Sequence, residues 1–381
     1  MKDWQIVVKG KGAISSNKPT LVDFEGASVP VGKIDAQFIQ QLREKYKNLS
    51  KAHRQDSVVL YAIEAANKAI QEAGWHNENN IAVNVGSSRG ATELLEKSIL
   101  KYYQTKECDA YTSPLTTLGN ISTAISNQFG LNGYSFSHSI TCSTSASAFV
   151  NAYAWLNAKI TDKMIVGGAE APITDFTIAQ MKNIGIYAQS TDDEFPSKPL
   201  GFLNGERKNS MILGEGAGVI GLERVTTDSV IAGDIVIAGI GFTQLPPPSY
   251  TGIESNGTVF YDCMKQAIEQ DEEIDAVFLH APGTITGDKS EYTAITNLFG
   301  EKTIPLLYSN KWKIGHCLGA SFALSLCEAI DILKSEQEQP ALPYLPQQKP
   351  TKAIHSILVN SSGFGGNAVS VLIKKIEQTK K

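Results

Sequence analysis

The chain has few cysteines, no long apolar run and no excess of positive charge, and each lack excludes a class of protein. Its five cysteines (Cys108, Cys142, Cys263, Cys317 and Cys327) form no C-x-x-C pair and no regular framework. Neither a disulfide scaffold nor a cysteine-built metal site is expected, and a reducing compartment is implied. No segment approaches the roughly 18 apolar residues of a membrane span. The opening MKDWQIVVKGKGAISS holds an apolar run of three residues, too short for a signal peptide. A cytoplasmic protein without membrane contact is the expectation. Lys+Arg 34 against Asp+Glu 39 leaves a net charge of −5, so no global field attracts a nucleic acid.

What remains is a globular chain: 381 residues, 42% hydrophobic and 19% charged, enough for two domains or one large layered unit. Strand and helix patterns alternate. Strands are predicted at 5–9, near 80–86, near 134–138, at 163–169 and at 217–223, with helices at about 56–74 and 143–159. The second part repeats the rhythm, with strands at 235–242, 276–280, 356–360 and 368–374 and helices at about 257–270 and 317–334. This predicts an α/β fold of two similar halves, 1–228 and 229–381, with apolar strands covered on both faces. The segment at about 88–133 has no counterpart and reads as a cap or dimer insertion.

Four clusters carry chemistry. In SITCSTSASAFVNAYAWL, Cys142 stands where a strand gives way to a small-residue helix. The positive end of that helix would lower the thiol's pKa and favour thiolate, although a lone cysteine is as often packing. Cys108, Cys263, Cys317 and Cys327 lack such a setting and are read as packing residues, the last two within one helix. In SNKWKIGHCLGASFALSLCEAI, Lys311 and His316 precede a second small-residue helix, whose start favours a neutral imidazole. Two such helix starts facing across a pseudo-twofold would bring thiol and imidazole together. In VFLHAPGTITGDKSE, Thr284 and Thr286 share a face if the backbone is extended, where they can bind an amide-rich arm, or they form an ordinary turn. Glu291 is a candidate partner for Lys311. In NSSGFGGNA, the glycines around Phe364 allow a backbone N–H to face a substrate while the ring gates it. GEGAG at 214–218 and GKG at 10–12 are poor nucleotide loops, because neither leads into a helix with the required glycine spacing.

Taken together and in order, IVVKGKGAIS, GSSRG, TCSTSASA, VGGAEAP, LGEGAGV, PGTITGD, SNKWKIGH and NSSGFGG resemble the β-ketoacyl-acyl-carrier-protein synthases of the thiolase-like superfamily over nearly the whole chain. The resemblance implies a five-layered αβαβα fold and a dimer. It implies that Cys142 takes an acyl group from a carrier's phosphopantetheine and that malonyl-carrier then loses CO₂ and attacks the thioester. By the same resemblance His316 is the histidine and Lys311 the lysine of the K-x-x-x-G-H segment, and Glu291 is the acid paired with the lysine. The N–H groups of Cys142 and Phe364 form the oxyanion hole, and Thr284 and Thr286 hold the pantetheine amides. No cofactor is tightly bound, since the phosphopantetheine arrives on its carrier, and no metal is implied.

One departure stands out. Where the family has A-H-G-T this chain has Ala281-Pro282-Gly283-Thr284, so Pro282 replaces one of two active-site histidines and cannot donate a hydrogen bond. His280 is two residues upstream, about 6.6 Å away on an extended strand, too far to stand in unless the loop shifts. Ser362 replaces the first Phe of N-S-F-G-F-G-G, and the T-P-x-G-D loop is shortened to Thr286-Gly287-Asp288. Three functions stay open: a condensing enzyme, a non-elongating acyltransferase, and a chain-length-factor-like partner subunit of a ketosynthase heterodimer. Retention of Cys142 speaks against the third. The expected partners are an acidic acyl carrier protein, docking on the basic stretch with Arg43, Lys45, Lys47, Lys51 and Arg54, and a second copy or related chain.

Overall fold

A computed structural model of the chain describes residues 3–48, 56–118, 120–191, 193–246, 249, 252–269, 272–335, 342–346, 350 and 352–377. Its strands are β1 (Trp4–Ser15), β2 (Thr20–Phe24), β3 (Ala27–Val31), β4 (Ala82–Gly86), β5 (Ser135–Phe136), β6 (Lys163–Glu170), β7 (Gly216–Thr226), β8 (Ile235–Gln244), β9 (Ala276–Phe278), β10 (Leu306–Tyr308), β11 (Ser356–Gly363) and β12 (Asn367–Lys375). Its helices are α1 (Ala36–Lys45), α2 (Ser57–Ala73), α3 (Thr92–Thr105), α4 (Thr112–Thr116), α5 (Asn120–Phe129), α6 (Thr144–Asn157), α7 (Asp175–Asn183), α8 (Thr258–Ala267), α9 (Ile285–Phe299), α10 (Lys311–Ile314) and α11 (Ser321–Lys334).

Ten strands line up as β10-β9-β11-β12-β8-β1-β7-β6-β4-β5, and β2–β3 form a separate hairpin. At the middle, β1 and β8 meet through a single registered pair, Val7 with Val236. Outward from that seam the two sides repeat each other. β1 and β8 each pair antiparallel with β7 and β12, which pair antiparallel with β6 and β11. The parallel strands β4 then β5, and β9 then β10, complete each side.

Helices fill the layers between and around these two half-sheets. α6 and α11 touch both half-sheets and each other, α2 and α5 cover the first outside, and α8 and α9 lie outside the second. This is the five-layered αβαβα arrangement of the thiolase-like fold. The central layer is tight because α6 presents Ser145, Ala146, Ala148 and Ala152, all buried, where larger side chains would hold the sheets apart. α2 is buried from Ser57 through Ala66, sandwiched between the first half-sheet and α5, with Asp56 capping its start by accepting from the Val58 N–H at 3.0 Å. The GKG segment proves to be its seat: a Cβ on Gly12 would overlap the Ala65 carbonyl oxygen of α2. GEGAG is equally structural. Its Glu215 is buried and accepts from the Ile34 N–H at 2.8 Å and the Tyr61 hydroxyl at 3.3 Å, and burial pushes its carboxyl up to about 7.

The segment 88–133 forms α3, α4 and α5; α5 packs on α2 and β4, while α3 leaves Ile99, Leu100 and Tyr103 exposed. Of the cysteines read as packing, Cys263, Cys317 and Cys327 are buried but Cys108 is exposed, and Cys317 precedes α11 instead of lying in it. No helix among the described residues is long and apolar enough to cross a membrane.

Candidate active site

One cavity of about 400 Å³ gathers Cys142, His280, Pro282, Thr284, Thr286, His316 and Phe364 on its wall. These residues come from four separate stretches of chain, and the two helix starts that sequence patterning pairs, those of α6 and α11, both open onto it.

Cys142 sits in the bend leading into α6, whose first turn starts at Thr144. The preceding Thr141 has φ of +46°, a left-handed conformation that costs a β-branched residue about 1–3 kcal/mol. Thr144 holds that bend, its Oγ donating to the Thr141 carbonyl at 2.6 Å while accepting from the Ile140 N–H at 2.9 Å. Leu318, at φ +41°, occupies the matching place before α11 and also lines the cavity. The thiol itself departs from the expected thiolate. Burial, with the Glu170 charge adding to it, pushes Cys142 up to about 12 against the opposing pull of Lys311. Desolvation outweighs the helix end here.

His316 is buried, its backbone N–H donating to the Ile212 carbonyl at 2.8 Å and its Nδ1 lying 3.0 Å from Ser321 Oγ. Burial first, then the Lys311 charge, bring its pKa down to about 3, so the neutral ring that the helix start suggests is what the site holds. His280, expected to be too far to stand in directly unless the loop shifts, does reach the cavity. Its ring lines the cavity with its centroid 5.6 Å from that of His316, edge to face. The register argument fails because β9 ends at Phe278 and the chain turns after it. Glu291 takes the N–H groups of both His280 and Ala281, at 2.9 and 2.7 Å, and Gly283 at φ +89° continues the turn. No hydrogen bond among the described residues occupies the His280 ring nitrogens, and burial and Lys311 hold its pKa well below the usual histidine range.

Lys311 and Glu291 lie behind the wall. They are not an ion pair: no contact within 4.0 Å joins them among the described residues. Lys311 Nζ donates to the Leu279 carbonyl at 3.3 Å, and Asn360 Nδ2 donates to Glu291 at 3.0 Å. They act on each other through space, burial lowering Lys311 to about 8 while the Glu291 charge opposes it. Glu291 is thereby a scaffold for the turn that carries His280.

Thr284 is extended, but Thr286 is helical, so the two do not share one extended strand. Thr284 is the residue before α9 and Thr286 is in its first turn, yet both reach the cavity. Asp288, from the same turn, accepts the N–H groups of Gly283, Thr284 and Leu200, and Asn209 accepts that of Ile285 at 2.9 Å while lining the cavity. Phe364 stands in the turn between β11 and β12. That turn is tied to the nucleophile's bend: Thr141 Oγ1 and Asn367 Nδ2 donate to the Phe364 carbonyl at 3.4 and 3.2 Å, and Ser143 Oγ donates to Asn367 Oδ1. The Phe364 N–H has no partner among the described residues, and the Cys142 N–H faces its own thiol.

Several residues here lie outside the sequence-based set. Glu170, wholly buried, accepts from the Ser87 and Ser88 hydroxyls and from the Ser88 and Gly319 N–H groups, which fastens the cavity wall to the start of α11. Ser88, Arg89, Met181, Ile184 and Met211 complete the wall. The GSSRG and VGGAEAP segments are the signals that could have pointed to Ser88, Arg89 and Glu170. Of the basic stretch, Lys45 is engaged by Glu64 at 2.5 Å and Lys47 by Glu44 at 2.6 Å, while Lys51 and Arg54 lie outside the described residues.

Comparison with known proteins follows the same lines. A family profile described as "Beta-ketoacyl synthase, N-terminal domain" matches residues 2–228, and "Beta-ketoacyl synthase, C-terminal domain" matches residues 235–344. The 3-oxoacyl-[acyl-carrier-protein] synthase 2 of Staphylococcus aureus (strain COL) is 27% identical over 399 residues, covering 98% of this chain and 94% of that one. Two solved structures superpose with a TM-score of 0.79 over 98% of this chain and 100% of theirs: a type II PKS acyl-carrier protein in complex with its ketosynthase, at 16% identity, and the ishigamide ketosynthase/chain length factor, at 19%. With both halves matched in order and the fold shared throughout, the chain belongs to the β-ketoacyl synthase family.

Proposed function

We propose that this chain is a β-ketoacyl-acyl-carrier-protein synthase that loads an acyl group onto Cys142 and condenses it with a malonyl-carrier, His316 and His280 together serving the enolate. The observation that carries this reading is the single cavity that takes a thiol, two neutral imidazoles and the Phe364 turn into one wall. The S. aureus relative is a 3-oxoacyl-[acyl-carrier-protein] synthase, and one structural neighbour is bound to its acyl-carrier protein.

In the first step the Cys142 sulfur attacks the carrier thioester carbonyl, the C–S bond to phosphopantetheine breaks, and the thiol proton leaves with the carrier's sulfur. Thr284 and Thr286, on the α9 side of the cavity, are placed to hold the pantetheine amides. In the second step malonyl-carrier loses CO₂, and the electron pair of the broken C–C bond moves into its thioester as an enolate. A Ser321 hydroxyl donating to His316 Nδ1 leaves the ring proton on Nε2, where it meets that oxygen; His280 supplies the second donor that Pro282 cannot. The enolate carbon then attacks the Cys142 thioester, whose oxyanion meets the N–H groups of Cys142 and Phe364. The tetrahedral centre collapses to release the sulfur, which regains a proton.

A second copy or a related chain completes the functional unit in this proposal. Tyr134 and Ile140 are exposed beside β5, the terminal strand of the sheet, and α3 adds Ile99, Leu100 and Tyr103. Intact-mass analysis tests the whole reading: the protein is incubated with acyl-carrier and then malonyl-carrier, beside a Cys142→Ala control. A carrier bearing a β-ketoacyl group two carbons longer is the expected product. Acylated Cys142 without elongation would make the chain a non-elongating acyltransferase, and no acylation would leave the partner-subunit role.

A further inference from the structure

Arg89 is a cation on the cavity wall that nothing in the mechanism uses. It follows β4 in the loop before α3, and a terminal guanidinium nitrogen donates to Gln180 Oε1 of α7 at 2.6 Å. Its Nε is buried without a hydrogen-bond partner, and among the described residues no carboxylate lies within ion-pair distance. The neighbouring wall is apolar, built from Met181, Ile184, Ile186, Met211 and Leu318. A guanidinium has five donors and no way to lose its charge, so leaving it unpaired against such a wall is costly. Glu170, the buried acid that binds the adjacent Ser88, is already engaged by Ser87, Ser88 and Gly319. A ligand oxygen in the cavity would supply the acceptor that the buried Nε lacks.

The side of the cavity matters. Arg89 and its apolar neighbours Met181 and Ile184 come from the first half of the chain, whereas Thr284 and Thr286, assigned above to the pantetheine arm, stand at the start of α9 in the second half. We propose that Arg89 binds the free carboxylate of an acyl thioester in this cavity, so that the enzyme selects acyl groups ending in a carboxylate over plain alkyl chains. Two sources share that chemistry, the far end of the chain delivered to Cys142 and the malonyl extender. The apolar wall beside Arg89, which suits methylenes leading to a terminal carboxylate, favours the first. This inference rests on the acyl-transfer reading for its biological meaning, but its test does not need catalysis.

The test measures calorimetric binding of adipoyl-pantetheine and hexanoyl-pantetheine, equal in carbon number, to the Cys142→Ala protein, with and without Arg89→Gln. Succinyl and butyryl thioesters cover a shorter reach, and malonyl-pantetheine reports the extender. In the Cys142→Ala protein the carboxylated member of a matched pair is expected to bind roughly 10- to 100-fold tighter, the range of one charge-assisted contact. Arg89→Gln should abolish that preference and Arg89→Lys should keep part of it, with the melting temperature checked for each. An Arg89-dependent preference confined to malonyl-pantetheine would support the carboxylate contact and assign it to the extender. Equal binding within every pair, or a preference that survives Arg89→Gln in a folded protein, would overturn the proposal. Absence of Cys142 acylation in the native enzyme would sink the acyl-transfer reading alone, since the binding arm stands without chemistry.

Discussion

The replacement of His280 is the sharpest perturbation this site offers. Its ring is buried, 5.6 Å from His316 and 6.2 Å from Phe260 between centroids, with its nitrogens engaged by no residue described in the structure. If it donates to the enolate oxygen, His280→Ala removes one of two hydrogen bonds that strengthen only as charge develops. Loss of such a donor costs about 2.7–4 kcal/mol of transition-state stabilisation, or roughly 10²–10³ in rate. Acylation of Cys142 makes no enolate and should change by less than about threefold. The assay is release of CO₂ from malonyl-carrier under saturating acyl-enzyme, beside single-turnover loading of Cys142 followed by mass. His280→Asn, which keeps a donor of nearly the same reach, should recover part of the decarboxylation, whereas His280→Leu, which fills the space without one, should not. Pro282→His in the His280→Ala background tests whether the usual family position still faces the cavity. Decarboxylation within threefold of the native rate in folded His280→Ala would refute the assignment.

Two other outcomes follow from burial. With Cys108 replaced by Ser to remove the exposed thiol, alkylation of Cys142 by iodoacetamide should climb about tenfold per pH unit from 7 past 9 without a plateau, because a thiol pushed up to about 12 leaves only about 10⁻⁵ ionised at pH 7; a plateau between pH 6 and 8 would reveal a thiolate–imidazolium pair. Glu215, raised from 4.5 to about 7, favours folding below pH 4.5 and loses that contribution as pH rises through 7, so Glu215→Gln should raise stability to urea at pH 8, by up to about 3 kcal/mol, and leave it nearly unchanged at pH 4.5.

The halves of this fold were legible because strands buried on both faces read as unbroken apolar runs, as in MIVGGA and AVFLHA, and because small-residue helices mark the central layer. Cys142 and His316 were legible for the same reason, each preceding such a helix. What escaped sequence reasoning has a common cause in distance along the chain. Glu170 meets Ser88 across 82 positions and Gly319 across 149, and nothing local announces a buried carboxylate whose partners are that remote. For Thr284 and Thr286 the sequence left extended backbone and a turn equally open, and the helix that starts after Thr284 decides it, with Asp288 accepting the Gly283 and Thr284 N–H groups. His280 was a candidate whose reach a strand-spacing rule left dependent on a loop shift, and that rule holds only while the strand lasts, whereas β9 ends two residues before it. The thiolate expectation for Cys142 failed differently. A helix end is visible in sequence, but the burial that outweighs it belongs to the assembled cavity.

Under the proposed condensation, the electrostatic arrangement gives a chemical account of catalysis without the family histidine at Pro282. The thiol and both imidazoles facing the cavity are neutral at pH 7, first because they are buried; the Lys311 charge behind the wall adds to this for the imidazoles and opposes it for the thiol. A cationic imidazolium would bind the malonyl carboxylate of the ground state and resist its departure as CO₂, whereas a neutral N–H gains strength only as negative charge passes to the thioester oxygen. Such a site needs donors at a point in space and is indifferent to the chain position that supplies them. Glu291 fixes that point by holding the N–H groups of His280 and Ala281. Removing the acid while leaving both histidines intact should therefore slow decarboxylation by misplacing His280, since Glu291 acts on the geometry of the turn and never touches the substrate.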